Sequence, residues 1–292
     1  MNSERMSMVD QIATKCPQEA KKHNANINFC QNGKVDILGI KIDKITGREA
    51  MEKIDGFLNS ESQHYIITAN AEIIVAAQKD RKFREIINQA DLALPDGFGP
   101  ILASRIFSKS GGLKERIAGV DLIYRIANNF NNPIGKKRFF FLGARQEGAK
   151  LAAQKIKKNF PHIEIAGFFG GDALEEGDRV AVSIINQARP DILFAAYGAP
   201  RQEKWIARNL KKLPTVRLAM GVGGAFEIIS GRIKRAPRWM RNAGLEWLWR
   251  LAQEPRRIGR IYNATIKFSW LVLTKKVKIL AILYDLSILI DF

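Results

Sequence analysis

Asp96 stands between Pro95 and Gly97 in the stretch ALPDGFGP (93–100), directly after a short apolar run. A carboxylate in that setting can shape a turn or cap a helix, and it can equally be held out as a general base with Gly97 leaving room beside it. Thr68 and Asn70 close another apolar run, TAN, two residues apart. At a strand end both would point to one face, placed to hydrogen-bond a polar ligand or to cap the next helix. Gln202 and Glu203 follow Pro200 at a helix start. Helix N-termini attract anions, so Gln202 is a candidate donor to phosphate, while Glu203 can simply complement the helix dipole.

Two glycine-rich stretches imitate nucleotide motifs and fail on detail. In GVGGAFE (221–227), Phe226 occupies the place of the third small residue of a dinucleotide fingerprint, and Glu227 comes too early for its ribose carboxylate. In GARQEGAK (143–150), the lysine falls one place late for a P-loop and no Ser or Thr follows. There is no Asp-x-Asp pair, no His-Glu-x-x-His, and only His23, His64 and His162 among histidines. No metal and no other cofactor is expected, and the charge of a departing phosphate group would fall to Arg, Lys and backbone N–H groups.

The elements that must position these residues alternate strand with helix. Apolar runs at 35–42, 64–70 and 92–96 read as strands, with helices over 46–60 and 71–90 between them. A second series reads strand 138–143, helix 146–160, strand 163–170, helix 178–188, strand 191–198, helix 202–210 and strand 215–223. Such alternation predicts an α/β fold, a Rossmann-like, mostly parallel sheet with helices on both faces. Ligands of such sheets bind at the carboxyl ends of strands, here TAN, PDG, FLG, FFGG, YGAP and GVGG. Gly143, Tyr197, Gly198, Gly221, Gly223 and Gly224 lie at those ends, where small residues admit a ligand close to the backbone.

Three regions are expected: an extension over 1–34, a catalytic α/β domain over 35–231, and a basic, Trp-rich helical appendage over 232–292. A hydrophobic content of 46% supplies a packed core, and the net charge is +18. That charge is concentrated: residues 228–278 hold thirteen Lys and Arg against Glu246 and Glu254, a net +11. So local an excess suits an anionic partner. Pro237 and Pro255 delimit a helix over 239–253, and Trp239, Trp247, Trp249 and Trp270 suit a bilayer interface. Over 267–292, Ile279, Ile282, Leu283, Leu286 and Ile290 recur at helical spacing, but Lys275, Lys276 and Asp285 interrupt the apolar run. This reads as an interfacial helix rather than a span, or else as a helix packed on another subunit of a homo-oligomer. The only cysteines are Cys16 and Cys30, and no secretory signal is evident, so a reducing cytoplasm is the expected compartment.

Taken together, TAN (68–70), PDG (95–97), ERIAGVD (115–121), FLG (141–143), GAPRQE (198–203), GVGGAFE (221–227), RAP (235–237) and LEWLWRLAQEPRR (245–257) resemble, in order and spacing, the WecG/TagA/CpsF glycosyltransferases, glycosyltransferase family 26. The resemblance covers roughly 35–262. It implies a metal-independent, inverting transfer from a UDP-sugar to a membrane-bound polyprenyl-diphosphate-linked sugar in cell-surface polysaccharide or exopolysaccharide synthesis, with N-acetylmannosamine, its uronic acid or glucose as donor sugar. It further implies a peripheral protein on the inner face of the cell membrane.

Carried over by position, Asp96 matches the family's proposed general base, Thr68 and Asn70 its TxN pocket residues, and Arg116 the arginine of R-x-x-G-x-D. Gln202 matches the glutamine of PKQE, with Arg201 here replacing lysine, and Glu227 stands where the family more often has an aspartate proposed to hold ribose. Arg250, Arg256, Arg257 and Arg260 of the appendage are candidates to contact the diphosphate or the membrane, and a docked appendage would complete the site only at the bilayer. The competing reading is a non-catalytic basic adaptor for membrane or nucleic acid. No aromatic RNA-binding motif accompanies the charge, so no nucleic-acid partner is expected.

Overall fold

The computed structural model describes residues 33–108, 111–143 and 146–277. Its centre is a six-stranded, wholly parallel sheet in the order β4-β3-β8-β7-β5-β6, formed by β3 (His64–Ala69), β4 (Leu92–Pro95), β5 (Arg138–Leu142), β6 (Glu164–Phe169), β7 (Ile192–Ala195) and β8 (Leu218–Gly221). Strands β4, β7 and β8 are buried along their whole length, which explains their continuous apolar runs.

One face carries α1 (Gly47–Asn59), α5 (Gly119–Asn129), α6 (Gln146–Asn159) and α9 (Ala225–Ile229), whose buried residues join Ile66, Leu94, Phe141 and Met220 of the sheet. The other face carries α2 (Ala71–Ala77), α3 (Arg81–Asn88), α7 (Asp178–Ala188) and α8 (Arg201–Asn209). The expected α/β sheet covered on both faces is present.

Local chemistry redraws several boundaries. The expected strand 35–42 is a separate antiparallel hairpin of β1 (Lys34–Ile37) and β2 (Ile40–Asp43). Leu38 and Gly39 both take positive φ, 56° and 83°, making the tight two-residue turn that such hairpins favour. The expected helix 71–90 is split into α2 and α3, because the Asp80 carboxylate accepts from the Phe83 N–H and starts a new helix. Before the appendage, three helices escaped the sequence reading: α4 (Phe98–Phe107), α5 and α9.

The appendage is likewise subdivided. Instead of one helix over 239–253 there are α10 (Arg238–Asn242) and α11 (Glu246–Gln253), parted at Gly244, whose φ is 76°. A side chain at Gly244 would strike the Phe98 ring at 2.9 Å, so the break also lets the appendage lie against α4. Helix α12 (Ile258–Tyr262) continues through a π turn (Asn263–Lys267) into helical residues 268–277. Phe268 and Val272 of this terminal helix are buried with Ile74 of α2 and Ala103 of α4. Among the described residues no helix is long and apolar enough to cross a membrane. The expectations for residues 1–32 and for Ile279, Ile282, Leu283, Leu286 and Ile290 lie outside the described residues.

Candidate active site

Residue by residue, the carboxyl ends of β3, β4, β7 and β8 build the floor of a cavity of about 760 Å³, and the appendage builds its roof. At the end of β4, the Asp96 N–H donates to the Ala69 carbonyl at 2.9 Å and the Ile117 N–H to the Pro95 carbonyl at 2.8 Å, fixing the backbone on both sides of the turn. Gly97, with φ 93° and ψ 167°, occupies the N-cap of α4 in a conformation that disfavours a side chain. Asp96 therefore does not cap α4.

The Asp96 carboxylate instead accepts from the Gly119 N–H at the start of α5 and stays partly open to the cavity. Burial pushes its pKa up to about 6, opposed by the Arg116 guanidinium and the Gly119 N–H and assisted by the negative charges of Glu246 and Asp121. A carboxylate so poised is ionised at neutral pH yet basic enough to accept a proton from a reacting hydroxyl.

Thr68 is buried, its hydroxyl donating to the Gly221 carbonyl at 3.3 Å. Asn70 caps α2, its side-chain oxygen accepting from the Ile73 N–H at 2.9 Å, and still lines the cavity. The helix-cap role open for Asn70 in the sequence is thus realised, while Asn70 and Thr68 line the same cavity as Asp96.

Arg116 lies over the Phe98 ring and donates to Glu246 of α11 at 2.9 Å. Arg235 grips both oxygens of Asp121, at 2.5 and 2.7 Å, and reaches Glu246 at 3.6 Å. This chain of charges, Asp121–Arg235–Glu246–Arg116, straps the appendage to the segment between β4 and α5. Glu246 and Arg235 were not singled out from the sequence as site residues, although an acidic residue inside so basic a run was a signal.

The remaining candidates divide. Arg250, Arg257 and Arg260 line the cavity. Burial together with neighbouring Arg260 and Arg250 draws the Arg257 pKa down, although Arg257 also reaches Glu254 at 3.5 Å. Arg250 pairs with Glu254 at 2.8 Å and Arg260 with Glu72 at 2.6 Å. Arg256 is exposed and is not among the cavity residues.

Gly223 and Gly224 lie on the cavity wall, and Gly224 makes room for the Arg250 guanidinium, which a side chain would meet at 2.7 Å. Gly143, Tyr197, Gly198, Gly221 and Glu227 are not on that wall. Tyr197 is buried in the core, and Gly143, with φ 90°, leaves space for its ring. Gly221 leaves space for Gln202 and Glu203, and Glu227 pairs with Arg232 at 3.2 Å.

Gln202 touches the cavity, but its amide is committed to holding two loops. Its oxygen accepts from the Gly198 and Gly223 N–H groups at 3.0 and 2.9 Å, and its nitrogen donates to Glu203 at 2.7 Å. Glu203 stands in the first turn of α8, the position a helix-dipole role needs, but it is buried, and desolvation raises its pKa to about 7. Among the described residues, no group of three or more His, Cys, Asp or Glu is placed to hold a metal ion.

A carboxylate with a raised pKa at the strand ends of a parallel sheet, roofed by arginines, is the site of an α/β protein suited to an anionic ligand. The chain belongs to the WecG/TagA/CpsF family of glycosyl transferases, whose model it matches over residues 35–281. It is similar to the N-acetylglucosaminyldiphosphoundecaprenol N-acetyl-beta-D-mannosaminyltransferase of Bacillus subtilis (strain 168), at 35% identity over 218 residues, 72% of this chain and 82% of that one. The protein of the same name from Staphylococcus aureus (strain MW2) is 34% identical over 238 residues, 80% and 90% of the two chains. The protein is a glycosyltransferase, and the reading as a non-catalytic adaptor is set aside.

Proposed function

We propose that the protein transfers N-acetylmannosamine from its UDP-sugar to N-acetylglucosaminyl-diphospho-polyprenol at the inner face of the cell membrane, by one inverting displacement that needs no metal. The observation that carries this reading is Asp96 itself, raised to about 6 and open to a cavity that also holds Arg250, Arg257 and Arg260. The acceptor hydroxyl attacks the anomeric carbon, a new C–O bond forms as the bond to UDP breaks, and Asp96 takes the hydroxyl proton. One carboxylate suffices for such a step, whereas glycoside hydrolysis uses two. The arginines receive the charge that develops on the departing diphosphate, the task a metal ion performs elsewhere.

The choice of donor and acceptor rests on the two bacterial relatives, each named for transfer of an N-acetyl-beta-D-mannosaminyl group to N-acetylglucosaminyldiphosphoundecaprenol. The test is incubation with the UDP derivatives of N-acetylmannosamine, its uronic acid and glucose, each with that acceptor and with chelator present. The expected product has the mass of one added N-acetylmannosamine. Addition of either other sugar would reassign the donor, and loss of transfer on chelation would overturn the metal-free step.

A further inference from the structure

The cavity has two chemically different ends. Asp96, Arg116, Arg250, Arg257 and Arg260 mark one, while Leu102, Ala103 and Ile106 of α4 together with Phe268, Val272 and Leu273 of the terminal helix mark the other. These two helices run side by side. Phe268 sits where a side chain at Gly99 would meet it at 3.3 Å, and Lys275 lies over the Phe107 ring one helix length further on. Leu102 and Leu273 remain 56% and 55% exposed on the wall of this passage, and Ile106 beside them is 39% exposed.

The terminal helix presents Arg257, Ile261, Thr265, Ser269 and Leu273 to the cavity, a file spaced by four residues. A second file, equally spaced, runs beside it from Arg260 through Phe268 to Val272. On an unbroken α-helix each four-residue step drifts by about 40°, so four steps would carry the file about 160° round the helix and away from the cavity. The π turn at Asn263–Lys267 lies midway along the file. Its one extra residue gives back about 100° of rotation, which keeps the arginines before the turn and the apolar residues after it on one face. The irregularity is thus what joins a cationic stretch to an apolar one along a single cavity wall.

We propose that the groove between α4 and the terminal helix holds the first isoprene units of the polyprenyl acceptor, so that the enzyme reads the lipid tail next to the diphosphate as well as the sugar beyond it. This rests on the reading of the acceptor as a polyprenyl-diphosphate-linked sugar. The argument for that occupant is continuity: the diphosphate position at Arg257 and Arg260 opens along the same helix face into the apolar groove, matching a molecule whose anionic and isoprenoid parts are joined in that order. An open groove with exposed leucines on its wall loses apolar surface to water until such a tail fills it.

The test compares N-acetylglucosaminyl-diphosphate acceptors carrying methyl, geranyl or farnesyl tails, all below their aggregation concentration and without vesicles or detergent, so that membrane partition plays no part. The wild-type kcat/KM is expected to rise about tenfold or more from methyl to farnesyl, as burial of successive tail carbons adds binding energy. In the Leu102→Ser/Leu273→Ser variant, whose changes lie at exposed positions, that ratio is expected to fall toward one, with a thermal midpoint close to the wild type showing that the fold persists. Equal kcat/KM across the tails in the wild type, or full tail dependence in the variant, would leave the groove to another occupant such as a second copy of the chain and overturn the proposal, with glycosyl transfer itself intact. Transfer to no acceptor from any UDP-sugar would instead overturn the underlying reading and the proposal with it.

Discussion

Asp96 stands at the cavity floor at a cost to stability above about pH 4. Its ordinary carboxylate value is 3.8, and burial raises it to about 6 in the folded chain. The folded state therefore holds a proton more readily than the unfolded one. The associated stability is fully present below about pH 4 and is lost as pH rises through about 6. Asp96→Asn is accordingly expected to raise the thermal midpoint at pH 7.5 by more than at pH 4, which a pair of melting curves checks. The same variant should bind UDP-sugar nearly as before while turnover falls about 10²-fold or more. Turnover like that of the wild type would return Asp96 to a turn former.

The pH profile of kcat/KM should rise with pH through about 6 as the base ionises. Among the described residues, buried Glu203, raised to about 7, is the other carboxyl that titrates near that limb. Glu203→Gln should preserve the limb if Asp96 sets it, and a profile that lost its acid limb in that variant would transfer the assignment.

Between elements, the strap from α11 to the segment between β4 and α5 makes a prediction with opposite signs at its two ends. Glu246 raises the Asp96 pKa and Arg116 lowers it. Glu246→Gln should therefore move the acid limb of kcat/KM to lower pH, and Arg116→Gln should move it to higher pH, although each change breaks the same 2.9 Å ion pair. Identical shifts from both would show that the pair acts only through folding. At β7 and β8 the Gln202 amide ties the Gly198 and Gly223 N–H groups together. Replacing it with alanine leaves two N–H groups and the buried Glu203 without their partner, so Gln202→Ala should lower the thermal midpoint as well as weaken UDP-sugar binding. A variant impaired in binding at an unchanged midpoint would point to direct contact with the nucleotide.

For the molecule as a whole, the appendage supplies Arg235, Arg250, Arg257 and Arg260 to the cavity and is also packed on the core through Phe268 and Val272. A chain ending at Gly231 is expected to lose transfer and its association with anionic vesicles, and to melt earlier because the surface under those two residues is exposed. Vesicle flotation and a melting curve together check this; full transfer to the lipid acceptor by the shortened chain would remove the appendage from the site.

Strand and helix alternation from residue 64 onward, the strand-end position of Asp96 and the concentration of charge after Gly231 were all determined by the amino-acid sequence, because apolar periodicity and Pro-Asp-Gly chemistry act over a few residues. Some misread features were also local. The apolar parity shifts from Val35 and Ile37 to Ile40 and Ile42 across Leu38-Gly39, the mark of a hairpin, and Gly99 and Pro100 disguised the start of α4.

Other facts were settled only by tertiary structure. Gln202 as a loop clamp, the Asp121–Arg235–Glu246–Arg116 strap and the apolar groove beside the arginines join residues as far as 21, 130 and more than 160 positions apart along the chain. A side chain's role there depends on which partner takes its hydrogen bonds and how much water remains around its charge. Those quantities do not exist until β3, β4, β7, β8 and the appendage converge on one cavity.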